Sequence, residues 1–133
     1  LIGQRLTSLP GSSAYFERGI VTYSDRAKMD LLKVPESLIR QKGAVSAEVA
    51  QAMAESVCEQ SGADIGLAVT GIAGPSGGTK EKPVGLVYLA LADKKATVGR
   101  QHLFSGDREG IRFRASQAAL DLLRRHISGK TIE

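Results

Sequence analysis

The residues between positions 11 and 28 carry the side chains best suited to chemistry in this chain. Ser12 and Ser13 follow a Pro-Gly breaker, so we expect them on a turn that exposes a hydroxyl. Tyr23 and Lys28 follow further along the same segment. A serine hydroxyl needs a base to act as a nucleophile, and a lysine amine can serve if its pKa is lowered. The segment therefore predicts a nucleophile and a base, with Tyr23 relaying the proton or orienting Lys28.

Two elements must position these groups. The pattern predicts a strand over residues 14–23, followed by a helix that ends at Leu32. Serines at one end of a strand meet a tyrosine and a lysine at the other only if the turn folds back or a neighbouring loop bridges them. Which of the two adjacent serines attacks stays open, with Ser12 as the alternative to Ser13.

A glycine-rich loop over residues 70–79 follows a predicted hydrophobic strand over residues 65–70. Open α/β sheets place ligands at the carboxyl ends of their strands. Glycines leave backbone N–H groups uncovered and permit positive φ, so the loop can form an anion-binding nest. It lacks the spacing of a Walker loop or a dinucleotide fingerprint. A wide turn without a ligand is the alternative to the predicted substrate-binding residues Thr70, Gly71, Gly74, Gly77 and Gly78.

Two arginines stand one turn apart at the start of the last predicted helix. Arg108 and Arg112 follow Asp107, the predicted N-cap, so their guanidinium groups could converge on one carboxylate or phosphate. The alternative is a solvated helix face. Ser46 is predicted to be an N-cap as well, with a role in the site as the second interpretation.

The remaining pattern alternates helices and strands without repeats or a linker. Five helices are predicted: over residues 1–9, from an N-cap at Ser24 or Asp25, between Pro35 and Gly43, after Ser46 and after Asp107. The strands over residues 83–91 and 97–104 are predicted to form a hairpin. Helices between some strands and a hairpin between others indicate a mixed sheet covered by helices, an α/β fold.

Composition fits one ordinary domain of 133 residues, 42% of them hydrophobic. The net charge of +4 comes without a ladder of basic and aromatic residues, which disfavours nucleic acid and suits a small phosphorylated substrate. The one cysteine, Cys58, lies in an apolar helical stripe, which predicts a buried thiol in a reducing, cytoplasmic compartment. No apolar run is long enough for a membrane, and the two histidines lack metal-ligand spacing.

Five strings in order resemble one family, the C-terminal domain of the CinA competence/damage-inducible proteins. They are residues 11–28, Gly43-Ala-Val-Ser46, Val69-Thr-Gly-Ile-Ala-Gly-Pro75, Gly77-Gly-Thr79 with Lys82-Pro-Val-Gly85, and Phe104-Ser-Gly-Asp-Arg108 with Ile111-Arg112. The resemblance spans nearly the whole chain and implies a three-layer α/β/α sandwich with a mixed sheet. Stand-alone members are nicotinamide mononucleotide amidohydrolases. It therefore implies hydrolysis of the nucleotide's carboxamide to nicotinic acid mononucleotide and ammonia, without a cofactor.

In that reaction the resemblance implies that Ser13 attacks, Lys28 passes the proton to the departing ammonia, and water cleaves the acyl-enzyme. Ser12, the glycine-rich loop and the two arginines would bind the substrate. The alternative from another class is a non-catalytic domain associated with competence or DNA damage. The state of association is left open, a homo-oligomer included.

The chain departs from the family pattern in two places. Relatives carry a strand ending in Glu-Ser-Cys-Thr-Gly-Gly ahead of the helix with which this sequence begins, and Asp25 stands where they more often have Asn. We therefore expect residues 1–133 to be a single domain that lacks its N-terminal strand and motif. The parent protein would supply that strand to complete the site, and the 133-residue chain by itself would be unstable or inactive.

Overall fold

The computed structural model of the chain describes residues 1–130. In chain order the elements are α1 (Ile2–Thr7), a 3₁₀ turn (Ser12–Ala14), α2 (Asp25–Leu32), α3 (Glu36–Lys42), α4 (Ala47–Ser61), β1 (Gly66–Gly71), β2 (Leu86–Ala92), β3 (Thr97–Leu103) and α5 (Arg108–Ile127). None of these helices is both long and apolar enough to cross a membrane.

The helices that frame the candidate site begin at side-chain caps. The Oγ of Ser24 accepts a hydrogen bond from the N–H of Ala27 at 3.0 Å, so Ser24 rather than Asp25 caps α2. Ser46 caps α4 and Asp107 caps α5 in the same way. These caps satisfy N–H groups that the first turn of a helix leaves without partners. The predicted helix starts are therefore confirmed.

The three strands form one antiparallel sheet in the order β1-β2-β3, with Ala68 opposite Ala90 in the first pair. The central strand β2 is buried on both faces. Its Ala90 and Ala92 pack against α4, whereas its Val87, Leu89 and Leu91 pack against α5. Helices cover both faces of the sheet, as predicted for an α/β sandwich. All the strand pairs in residues 1–130 are antiparallel, so no parallel pair of the predicted mixed sheet lies within them.

The predicted strand over residues 14–23 is wrong for the described chain. Residues 12–14 form the 3₁₀ turn, and residues 16–23 have no regular secondary structure and no sheet partner within residues 1–130. Thr22 is 8% exposed while its neighbours Val21 and Tyr23 are 86% and 79% exposed, so the segment buries the Thr22 side chain without pairing as a strand. A strand requires a neighbour for its backbone groups. No backbone-to-backbone hydrogen bond within residues 1–130 involves residues 17–23.

Candidate active site

The serine turn presents its two hydroxyls differently. Gly11 precedes it at φ 87°, a left-handed conformation that glycine adopts without strain. The N–H groups of Tyr15 and Phe16 both donate to the Ser12 carbonyl and close the turn. Ser12 is 8% exposed, whereas Ser13 is exposed to solvent. Of the two predicted nucleophiles, Ser13 is thus the one that a substrate can reach directly.

Lys28 is a buried lysine without a carboxylate partner among the described residues. Its side chain lies on the inner face of α2 and is 7% exposed. The Nζ donates a hydrogen bond to the backbone carbonyl of Thr22 at 2.8 Å. Burial lowers the pKa of Lys28 because desolvation disfavours the charged form, and the negative charge of Asp25 partly opposes that shift. This environment favours the neutral amine that a general base requires.

Tyr23 is joined to the glycine-rich loop through one arginine. The guanidinium of Arg108 donates to the Tyr23 hydroxyl at 3.1 Å and to the Gly74 carbonyl at 2.8 Å. Arg108 is the first residue of α5, so the start of that helix, the loop after β1 and the segment before α2 meet at one place. The structure therefore brings together the predicted residues Tyr23, Arg108 and Gly74. Lys28 lies beside them, because its Nζ donates to the carbonyl of Thr22, the residue before Tyr23.

The serine turn has no direct link to this group. Within residues 1–130 neither the Ser12 nor the Ser13 hydroxyl makes a hydrogen bond to Tyr23 or Lys28. A substrate or a water would have to bridge Ser13 and Lys28. Catalytic hydrogen bonds often form or tighten only in the complex with substrate.

The glycine-rich loop is closed at its base and open at its tip. Ile72 and Gly85 bond across the base, and the N–H of Thr79 donates to the Lys82 carbonyl at 2.8 Å. Gly78 must lack a side chain, since a Cβ there would lie 2.7 Å from the backbone nitrogen of Val84. Within residues 1–130 the N–H groups of residues 76–78 at the exposed tip have no hydrogen-bond partner. Uncovered N–H groups of this kind are what an anion-binding nest needs.

Thr70 and Ser46 hold the neighbouring turn in place. The Thr70 hydroxyl donates to the Ala44 carbonyl at 2.8 Å, and Thr70 is 7% exposed. The Ser46 hydroxyl donates to the Gly43 carbonyl at 2.9 Å and accepts the N–H of Val49. The structural role predicted for Ser46 as an N-cap is confirmed. The one hydroxyl proton of Thr70 is already donated to Ala44, so Thr70 can contribute only its oxygen lone pairs to ligand binding.

The two predicted arginines have different surroundings. Arg108 faces Tyr23 and the loop, as described above. Arg112 instead lines a groove of about 580 Å³ between α1 and α5, beside Gln4 and Phe113. The two guanidinium groups share no hydrogen-bond partner among the described residues, although positions four apart on one helix are neighbours. Arg108 at the first helical position reaches back over the loop.

Two contributors to the site were absent from the sequence reasoning. The Thr22 carbonyl orients Lys28, and Lys82 donates from the loop to the Lys42 carbonyl at the end of α3. A backbone carbonyl has no sequence signature. Lys82 could have been suspected from its place in the Lys-Pro-Val-Gly string, but its partner is forty residues away.

The comparisons agree with the layered α/β domain. The model of the CinA C-terminal domain family matches residues 1–127. A CinA-like protein from Geotalea daltonii is 59% identical over 127 residues, which cover 96% of this chain and 31% of that protein. A CinA-like protein from Geobacter sulfurreducens is 53% identical over 127 residues with the same two coverages. The chain thus spans less than a third of these curated relatives.

Solved structures share the fold. A competence/damage inducible protein from Agrobacterium tumefaciens superposes with a TM-score of 0.90 at 41% identity, over 92% of this chain and 75% of that chain. The competence damage-inducible protein A from Klebsiella pneumoniae gives 0.91 at 32% identity, over 96% and 79% of the two chains. The chain belongs to the CinA C-terminal domain family.

Proposed function

We propose that this chain hydrolyses the carboxamide of nicotinamide mononucleotide to nicotinic acid mononucleotide and ammonia. The observation that carries the proposal is the buried Lys28, whose pKa is lowered by desolvation and whose amine lies against the Thr22 carbonyl. A lysine whose pKa is shifted by desolvation is a candidate for a functional role with a physical rationale. The substrate comes from the resemblance to the amidohydrolases of the family.

In the first half of the proposed reaction, the neutral Lys28 amine takes the proton of the Ser13 hydroxyl as Oγ attacks the carboxamide carbon, with Tyr23 relaying that proton or orienting Lys28. Backbone N–H groups stabilise the oxyanion that forms. Lys28 then gives the proton to the departing nitrogen, the carbon–nitrogen bond breaks, and ammonia leaves an ester on Ser13. The hydrogen bond from Nζ to the Thr22 carbonyl fixes the amine while leaving its lone pair free.

In the second half, water attacks the ester carbon and Lys28 takes one of its protons. The carbon–oxygen bond to Ser13 breaks, and the serine oxygen recovers that proton. Nicotinic acid mononucleotide is released. The uncovered N–H groups of residues 76–78 are available for the phosphate, since backbone N–H groups of this kind are donors suited to an anion.

The proposed function is tested by measuring ammonia release from nicotinamide mononucleotide with the full-length protein that carries this chain. The acid product should appear in equal amount. Nicotinamide riboside, which has the same amide and no phosphate, should be a much poorer substrate because the loop then has no anion to bind. Absence of ammonia release from the nucleotide would favour the non-catalytic alternative.

The charge beside Lys28 predicts a shift of the pH profile. Lys28 must be neutral to act as a base, so kcat/KM should rise with pH until its amine has lost the proton. Asp25 favours the charged amine, so Asp25→Asn should lower the pKa of Lys28 further and move the acid limb to lower pH. We expect higher kcat/KM than wild type on the acid side.

The measurement is kcat/KM against pH for wild type, Asp25→Asn and a matched control, Asp30→Asn. Asp30 lies on the same helix and pairs with Arg26 at the surface, so its removal should leave the limb in place. A limb that stays fixed in Asp25→Asn, or moves to higher pH, would contradict Lys28 as the base.

The loop tip predicts a binding defect. Gly78→Ala would place a Cβ against the Val84 backbone and displace the N–H groups at the tip. We expect KM to rise about tenfold with little change in kcat, which corresponds to a loss of about 1.4 kcal/mol of uniform binding. Gly3→Ala in α1, where a Cβ has room, is the matched control. Unchanged kinetics in Gly78→Ala would remove the loop from the binding site.

A further inference from the structure

We propose that Arg108 is a positioning residue that fixes the Tyr23 phenol against the glycine-rich loop. The inference rests on the proposed function. It adds that Arg108 connects the glycine-rich loop to Tyr23 through two hydrogen bonds. It differs from the sequence-based expectation, in which Arg108 binds substrate together with Arg112.

The first support is the phenol's lack of other anchors. Tyr23 is 79% exposed, and the Arg108 bond at 3.1 Å is the one hydrogen bond that its hydroxyl makes within residues 1–130. The segment of residues 17–23 that carries Tyr23 makes no backbone-to-backbone hydrogen bond there either. Without Arg108 the phenol would sample several rotamers, and an oriented proton carrier would be lost.

The second support is the chemistry of the bond. Arg108 donates, so the phenol accepts and its own O–H is left to donate to a third group. The same guanidinium donates to the Gly74 carbonyl at 2.8 Å. A planar fork can hold two acceptors at a set angle, which the single ammonium of a lysine cannot reproduce. The position of the loop therefore determines the position of the phenol.

The third support is the rigidity of the base from which Arg108 extends. Asp107 caps α5 through the N–H of Gly110 at 2.8 Å, and Ile111 one turn later is 2% exposed in the core. The Phe104 N–H donates to the Gly85 carbonyl at 2.9 Å, which joins the chain entering α5 to the base of the loop. The backbone of Arg108 and the base of the glycine-rich loop are therefore both joined to the same packed core.

The test is a double-mutant cycle in the full-length protein with Arg108→Ala, Tyr23→Phe and the combination, assayed by ammonia release. Misplacement of a catalytic group can cost about 10²-fold, so we expect Arg108→Ala to lower kcat by about 10- to 100-fold. In the Tyr23→Phe background the same change should have little further effect, because the phenol oxygen is already gone. Arg108→Lys should resemble Arg108→Ala, since one ammonium cannot bridge both acceptors.

Substrate affinity separates positioning from direct binding. Calorimetry with nicotinamide mononucleotide in a Ser13→Ala background, where turnover is blocked, should give nearly the same Kd with and without Arg108. Arg124→Gln, on the same helix about 24 Å away by helical rise, is the matched control and should behave as wild type. Thermal unfolding should show that all variants are folded.

Effects of Arg108→Ala and Tyr23→Phe that multiply, or a Kd that rises while kcat is kept, would overturn the positioning role and assign Arg108 to the substrate. Those results leave the proposed function intact, because the wild type still releases ammonia. A wild type that releases none overturns the proposed function and the inference together.

Discussion

Replacing Ser13 with alanine should abolish ammonia release while leaving the fold unchanged. If Ser13 is the nucleophile, its loss removes the covalent route, and knockouts of this kind cost on the order of 10³- to 10⁶-fold in kcat. Ser13 is exposed on a 3₁₀ turn, so an alanine there removes little packing. The measurement is steady-state ammonia release together with the melting temperature.

The adjacent serine gives the sharpest control for this prediction. Ser12→Ala changes a hydroxyl that is 8% exposed and should lose far less activity than Ser13→Ala. Ser8→Ala, on the turn that ends α1, removes an exposed hydroxyl bonded to the Arg5 carbonyl and should retain full activity. Loss in Ser12→Ala alone would move the nucleophile by one residue. Full activity in both Ser12→Ala and Ser13→Ala would exclude the acyl-enzyme.

Replacing Lys28 with methionine should have the second large effect. General base catalysis contributes about 10²–10⁴-fold, and activation of the nucleophile is lost with it, so kcat should fall by at least that much. Lys28→Arg should fail as well, because a guanidinium stays protonated. Lys95→Met on the exposed turn between β2 and β3 is the matched control and should keep wild-type activity. An active Lys28→Arg protein would reduce Lys28 to an electrostatic role.

The same substitution should not weaken the fold. The folded-state pKa of Lys28 lies below its ordinary value of 10.5, so between those two pH values the unfolded chain binds more protons. The free energy of unfolding contributed by Lys28 therefore rises with pH across that window and is lowest below the folded-state pKa. Lys28→Met removes that cost, and its free energy of unfolding at pH 7 should equal or exceed the wild-type value. Chemical denaturation at several pH values measures this.

Sequence patterns were sufficient where the physics is local. The caps at Ser24, Ser46 and Asp107 follow from the need to satisfy the first N–H groups of a helix, and each is present. The apolar stripe that includes Cys58 predicted a buried face, and Cys58 is 8% exposed. A hairpin between β2 and β3 follows from a short polar turn between two apolar runs.

The family's motifs identified the candidate residues, and the family itself is shown by the comparisons. Spacing along the chain cannot give their geometry, because the groups that meet are far apart in sequence. Tyr23 and Arg108 are separated by 85 positions, and Arg108 and Gly74 by 34. Their contact depends on how α5 packs beside the loop.

The sequence by itself thus determined the helices, the hairpin, the layered α/β class and the set of candidate site residues. It also predicted a strand over residues 14–23, which is wrong, because a local sequence contains no information on whether a partner strand is present. Only the tertiary structure decided that Lys28 is desolvated against the Thr22 carbonyl and that Arg108 bridges Tyr23 and Gly74. Burial and long-range hydrogen bonds are properties of the packed chain, since they depend on residues that folding brings from distant positions.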